Sequence, residues 1–254
     1  MAGFNRYTDQ VAIITGGADG LGKSMTHRLA TEGAKVVIFD YNDEKRDATV
    51  AEFADQGLNV SGVALDISSA ASVSEAVGNV LSATDNRLDV MINCAGVVGP
   101  TNTKVVDYDI EAFDNVVAVN LRGSFLMAKY CLPPMIERGY GRILLVASIA
   151  GKDGNPGMAG YTASKAGVIG MVKAFGKEYA ETGITVNGLA PAVIQTAMVD
   201  GIDPAMLKYM TDRIPMKRTG SLEEAAATAA YIVSSEASFN TGFVFDLSGG
   251  RAVY

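Results

Sequence analysis

The chain has 254 residues, 48% of them hydrophobic, and its 21 lysines and arginines are outnumbered by 28 aspartates and glutamates. That is enough apolar material for one large core, and a net charge of -7 argues against nucleic acid or an anionic membrane surface as partner. Two cysteines make no disulfide framework, and the single histidine, His27, leaves Ser-His-Asp hydrolysis and zinc sites without their parts.

The opening residues MAGFNRYTDQ are polar and lack a signal-peptide core, and no apolar run is long enough to cross a bilayer, so a soluble cytoplasmic protein is expected. The first candidate strand is VAIIT (11–15), followed by a helical pattern near 21–32. KVVIF (35–39) leads to a helix near 43–56, and NVSGVAL (59–65) to one near 70–84. LDVMIN (88–93) precedes a long helical stretch, 109–137. RILLVAS (142–148) precedes a helix over 159–181, ITVNGLA (184–190) precedes one over 222–234, and FVFDL (243–247) closes the series. The strands are near-continuously apolar, as strands covered on both faces must be. Strand and helix in alternation predict right-handed crossovers and a single-domain α/β fold of the Rossmann type, a doubly wound parallel sheet of about seven strands. The least regular stretch, 191–221, is rich in proline and methionine and is expected to form a substrate lid.

The first strand runs into T-G-G-A-D-G-L-G (15–22) and then helix. Gly16, Gly20 and Gly22 permit a tight turn and close backbone approach to a pyrophosphate, with Asp19 and Leu21 in the same turn. Asp40 ends the second strand twenty residues after Gly20, where a carboxylate accepts from both ribose hydroxyls of an adenosine and repels a 2′-phosphate. Asp19 adds negative charge on the same side, so NAD is the expected cofactor.

With these residues the chain resembles the short-chain dehydrogenase/reductase family over essentially its whole length. N-C-A-G (93–96) is similar to the family's N-N-A-G, with Cys94 replacing an asparagine; L-D-I (65–67), V-N (119–120), Y-x-x-x-K (161–165) and P-A-V-I-Q-T (191–196) follow in the family's order. The resemblance implies a catalytic set of Asn120, Ser148, Tyr161 and Lys165. It implies cofactor contacts from Asp66, Ile67, Asn93, Ala95, Gly96, Tyr161, Lys165, Pro191, Ile194 and Thr196, beside the glycine turn and Asp40.

A free tyrosine titrates near pH ~10, too high for a base at neutrality. Lys165 lies four residues after Tyr161, on the same helix face, where its ammonium favours phenolate. Oxidised nicotinamide would add a second positive charge, so Tyr161 is expected to have a lowered pKa and to act as general base on a substrate hydroxyl. Ser148 would hold the reacting oxygen, and Asn120 would order water that relays the proton from Lys165. The substrate pocket is expected to draw on Ser148, Ala150, Asn155, Met158, Tyr161, Ala192 and Met198, small, apolar or amide groups suited to a polyol-like molecule. The overall resemblance is to NAD-dependent dehydrogenases of sugars, polyols and sugar acids, including 2-keto-3-deoxy-sugar-acid dehydrogenases. Two rivals are a 3-oxoacyl-[acyl-carrier-protein] reductase, which normally wants NADPH and a basic docking patch, and a non-catalytic NAD-binding sensor or scaffold. Family members are often tetramers with tails near a neighbouring subunit. A homotetramer is therefore expected, with Arg251 or the tail G-G-R-A-V-Y shaping a neighbour's pocket and meeting a substrate carboxylate.

Overall fold

The computed structural model describes residues 5–196 and 204–252. Its strands are β1 (Val11–Thr15), β2 (Lys35–Asp40), β3 (Val60–Ala64), β4 (Val90–Asn93), β5 (Gly141–Val146), β6 (Ile184–Pro191) and β7 (Val244–Leu247). They form one parallel sheet in the order β3-β2-β1-β4-β5-β6-β7. Alternate residues along each strand enter opposite cores. Val11 and Ile13 of β1 join one cluster, and Ala12 and Ile14 join the other.

The helices are α1 (Gly20–Thr31), α2 (Asp43–Asp55), α3 (Ala70–Ser82), α4 (Ile110–Val117), α5 (Gly123–Arg138), α6 (Ala150–Asp153), α7 (Ala159–Glu178), α8 (Pro204–Asp212) and α9 (Leu222–Ile232). Met25 and Leu29 of α1, Phe53 of α2 and Ala226 and Ala229 of α9 cover one face of the sheet. Val73 of α3, Met127 of α5 and Val168 of α7 cover the other. Residues that a sheet buries on both faces cannot alternate with polar ones, which is why the strands read as apolar runs. The expected doubly wound fold is the observed one. Its strand order reverses between β1 and β4, and a crevice opens there beyond the carboxyl ends of the strands.

Two expectations are corrected. The helical stretch foreseen over 109–137 is interrupted at Ala118–Arg122, which forms a π-helical turn. Asn120 lies in this turn, and its carbonyl accepts the Ser124 hydroxyl at 2.6 Å. Strand β5 stops at Val146, and Ser148 follows it between Ala147 and Ile149, whose amides still bond the Leu189 and Pro191 carbonyls of β6. Of the expected lid, residues 197–203 fall outside the described residues, and Pro204–Asp212 is helix.

The glycine turn is as tight as its sequence suggests. A Cβ on Gly22 would sit 2.1 Å from the Gly16 carbonyl oxygen, and one on Gly16, whose φ is +63°, would meet the Ala95 amide nitrogen at 3.0 Å. Gly22→Ala is therefore expected to destabilise the fold by about 3 kcal/mol, lowering Tm by roughly 6–12 °C in a thermal melt; an unchanged melt would mean that this turn relaxes freely.

Candidate active site

The crevice is a cleft of about 740 Å³ at the carboxyl ends of β1, β2 and β4. Gly16, Asp19, Gly20, Leu21 and Gly22 form its floor, and Asp40 stands at the end of β2. Asp66 and Ile67 follow β3, Ala95 and Gly96 follow β4, and Thr196 reaches in from beyond β6. A Cβ on Gly20 would come within 3.8 Å of the Thr196 methyl, so the two ends of the chain's cofactor motifs face each other here. Sequence reasoning assigned no cleft role to Phe39, Tyr41, Leu65, Ser68, Cys94, Val97, Asn115 or Val119, although Leu65, Cys94 and Val119 lie inside the L-D-I, N-C-A-G and V-N motifs. The glycine cradle and the start of α1, whose first-turn N–H groups lack intrahelical partners, suit a pyrophosphate. Asp40 suits a ribose diol.

The walls are held by hydroxyls. The Thr15 hydroxyl donates to Asn93 Oδ1 at 2.7 Å and accepts the Cys94 and Ala95 amides, each at 3.1 Å. Asn93 Nδ2 donates to the Ser124 hydroxyl at 2.8 Å. The buried Asn93 side chain is thus consumed in tying β1 to α5, and it stands behind the cleft wall rather than in it. Ile194 is likewise buried, its isoleucine tip against Gly220, and Pro191 ends β6 with its carbonyl accepting the Ile149 amide at 3.0 Å. Asp40 is not idle either: its two oxygens accept the Ala18 and Asn42 amides at 3.1 and 3.0 Å.

The four expected catalytic residues converge from four segments. Tyr161 and Lys165 lie one turn apart on α7, and the Lys165 ammonium is 5.8 Å from the centre of the Tyr161 ring, on the same side of the helix. The buried ammonium donates to the Val146 carbonyl at the end of β5, at 2.8 Å. A Cβ on Gly96 would fall 3.0 Å from Asn120 Oδ1 and 3.4 Å from Lys165 Nζ, so the loop after β4 separates these two groups by little more than a backbone. Ser148 is buried, accepts the Ala150 amide at 3.1 Å, and is the hydrogen-bonding neighbour of the Tyr161 phenol. Gly151 sets this spacing. Its Cβ would lie 2.7 Å from the Lys165 carbonyl carbon, so α6 rests directly on the α7 backbone.

Asn120 acts as a clamp. Its Oδ1 accepts the Val97 amide at 2.8 Å, and its Nδ2 donates to the Val97 carbonyl at 2.9 Å and to the Ser164 hydroxyl at 3.0 Å. These three hydrogen bonds join the loop after β4 to α7 and leave Oδ1 one further lone pair.

The electrostatics of the protein groups are governed by burial. With protein groups alone the Tyr161 pKa is raised, not lowered: burial dominates, and the Ser148 hydrogen bond opposes it only in part. Burial pulls the Lys165 ammonium down to about 8, with Cys94 acting against it. Burial lifts the Cys94 thiol to about 11.

Among the expected substrate residues, Ala150 is buried at the start of α6. Asn155 receives the Arg251 guanidinium on Oδ1 at 3.2 Å, donates its amide to the Thr162 hydroxyl at 3.2 Å, and its Nδ2 lies 3.7 Å from the Met158 sulfur. Arg251 also donates to Asp153 at 3.3 Å, so within one chain it binds its own 153–155 loop. Ala192 borders a separate cavity of about 340 Å³ beside Ile214, Met216 and Gly249. Met198 lies outside the described residues.

Such a cleft, with a buried Ser-Tyr-Lys cluster at the carboxyl ends of a doubly wound sheet, defines a dinucleotide-dependent oxidoreductase of the α/β class. Comparison with known proteins agrees. A family model described as enoyl-(acyl carrier protein) reductase matches residues 16–251. The 2-dehydro-3-deoxy-L-rhamnonate dehydrogenase (NAD(+)) of Sphingomonas sp. is 41% identical over 98% of both chains. A 3-oxoacyl-[acyl-carrier-protein] reductase of Thermotoga maritima is 36% identical over 98% of this chain and 100% of its own. The crystal structure of levodione reductase superposes with a TM-score of 0.93 at 34% identity, covering 98% of this chain and 100% of that one. The chain belongs to the short-chain dehydrogenase/reductase family.

The depressed Lys165 pKa has a measurable sign. Between about pH 8 and the unfolded value near 10.5, the unfolded chain holds this proton and the folded one does not, so the lysine's contribution to stability rises with pH. Buried thiols and the Tyr161 phenol act oppositely at high pH, so the effect is read as a difference. Comparing wild type with Lys165→Met by chemical denaturation, the wild type should gain about 1 kcal/mol on the variant between pH 7 and pH 9. A constant difference would mean that Lys165 titrates at its ordinary value.

Proposed function

We propose that this enzyme, an NAD-dependent oxidoreductase, oxidises a secondary hydroxyl of a sugar acid or polyol such as a 2-keto-3-deoxy sugar acid, with Tyr161 as general base. The observation that carries the reading is the position of Lys165, buried between Tyr161 and the Val146 carbonyl at the end of β5. Similarity to the Sphingomonas sugar-acid dehydrogenase supports the substrate class. NAD, held by the glycine turn and Asp40, would supply the hydride acceptor and, when oxidised, a positive charge. Tyr161 takes the proton of the substrate hydroxyl, Ser148 orients the oxygen, and Lys165 holds the phenol's surroundings positive. Burial raises the phenol's pKa against the Ser148 hydrogen bond, so the positive charge of an oxidised nicotinamide would favour the phenolate. Asn120 contributes by fixing the Val97 loop against α7. In the reverse direction Tyr161 is the acid and a carbonyl is reduced.

We read the assembly as a homotetramer. β7 is an edge strand, and Phe243 and Tyr231 are partly exposed beside it, each meeting Phe245 edge-on at 4.9 and 6.4 Å. Uncovered aromatics on an open sheet edge suit burial against a second copy. The free thiols Cys94 and Cys131 fit a reducing, cytoplasmic setting.

Tyr161→Phe is expected to lower kcat by about a thousandfold or more while NADH still binds with near wild-type affinity, measured by nicotinamide fluorescence. NADH production should appear with sugar acids or polyols and be weak with acetoacetyl thioesters. The opposite ranking would favour the acyl-carrier reductase reading, and activity retained in Tyr161→Phe would remove the general base. Phe243→Glu should shift the protein to a smaller species in sedimentation; unchanged mass would place the interface elsewhere.

A further inference from the structure

The cofactor cleft carries an ion pair that the hydride chemistry does not use. Three carboxylates line its wall, Asp19, Asp40 and Asp66, and among the described residues only Asp19 is paired with a cation. That cation is Lys45, whose ammonium lies 2.6 Å from Asp19 Oδ2. Lys45 occupies the first turn of α2, its amide capped by Asn42 Oδ1 at 2.9 Å. The dipole of a helix disfavours a cation at this end, so the pair with Asp19 compensates an unfavourable position. Asp19 caps α1 in turn, its Oδ1 accepting the Gly20 amide at 2.7 Å. The ion pair therefore bridges the turn after β1 and the turn after β2, with Asp40 held beside it by the Ala18 and Asn42 amides. These turns flank the adenosine ribose of a dinucleotide in this type of fold.

The surrounding charges are few. Asp19 raises the Lys45 pKa and Asp40 adds to the effect, while Lys45 and the Gly20 amide lower that of Asp19. Lys23 also acts on Asp19, but its own ammonium is bound to Glu52 at 2.6 Å. Both members of the Asp19–Lys45 pair are more than half exposed, so it adds little to stability. An exposed pair at the rim of a cleft acts chiefly on what enters.

We infer that Lys45 is a cofactor-selecting residue, a latent contact for a phosphate on the adenosine 2′-oxygen that Asp19 withholds by pairing with it. The inference rests on the dinucleotide reading of this cleft. A lysine is a point charge on a flexible stem and turns readily from a carboxylate to a phosphate. With a free ribose hydroxyl the pair stays closed and Asp40 accepts the diol. A 2′-phosphate meets Asp40, Asp19 and a lysine already neutralised. Discrimination against it then has two sources, the repulsion by Asp40 and the withdrawal of Lys45.

Direct binding tests this without any substrate. NADH and NADPH are titrated into wild type, Asp19→Asn, Lys45→Met and the double variant. Asparagine keeps the acceptor that caps α1, and Asp19→Ser serves as a second variant with the same capacity. Asp19→Asn should tighten NADPH relative to NADH by about tenfold, the double variant should return to within about twofold of Lys45→Met, and the gain should fade at high salt. A gain that survives Lys45→Met, or no gain in either Asp19 variant, overturns the role of Lys45. Failure of wild type to bind NADH would instead refute the dinucleotide site itself.

Discussion

The Lys165 ammonium is taken out of water and given the Val146 carbonyl as its partner. An isolated buried ammonium would lose its proton or unfold its surroundings. Burial pulls this one down to about 8, and the Val146 carbonyl at the end of a central strand satisfies one of its donors. Everything at the catalytic centre is arranged around that contact. β5 ends where the carbonyl is required, α7 is oriented so that positions 161 and 165 face the strand end, and the serine turn comes to rest on the same helix. The sheet is the rigid member, and the chemistry lies where its strands stop.

The loop after β4 shows how a binding wall is built without regular structure. Thr15 holds its start through the Cys94 and Ala95 amides, and Asn120 holds its continuation through both polar groups of Val97. The Cys94 and Ala95 amides and both backbone groups of Val97 thereby find partners. The π-helical turn at Ala118–Arg122 carries the second clamp, and the Asn120 carbonyl within it accepts the Ser124 hydroxyl. The asparagine is a positioning residue for the cofactor wall as much as a neighbour of the lysine.

Much of this architecture was legible in the amino-acid order. The alternation of apolar runs with helical patterns is a direct consequence of a sheet covered on both faces, and the glycine turn, Asp40 and the Tyr161–Lys165 pair depend on short spacings that a chain displays openly. What escaped detection depends on distant partners. Nothing local to Asn93 says that Thr15 and Ser124 use up its amide, and nothing near Asn155 says that Arg251 reaches it. Lys45 looks like an ordinary surface lysine until the fold brings Asp19 beside it. Nothing local to Tyr161 displays its desolvation either, which raises its pKa among the protein groups and which only the folded packing reveals.

The contact at Gly151 constrains how this scaffold diversifies. Because α6 lies backbone to backbone against α7 at Lys165, the distance from Ser148 to the phenol is set by main-chain atoms and offers no side chain to resize. New substrate shapes must then be accommodated outside that contact, in the 154–158 segment tethered by Arg251 and in the residues that follow β6, so the reactive geometry is inherited intact while recognition drifts around it.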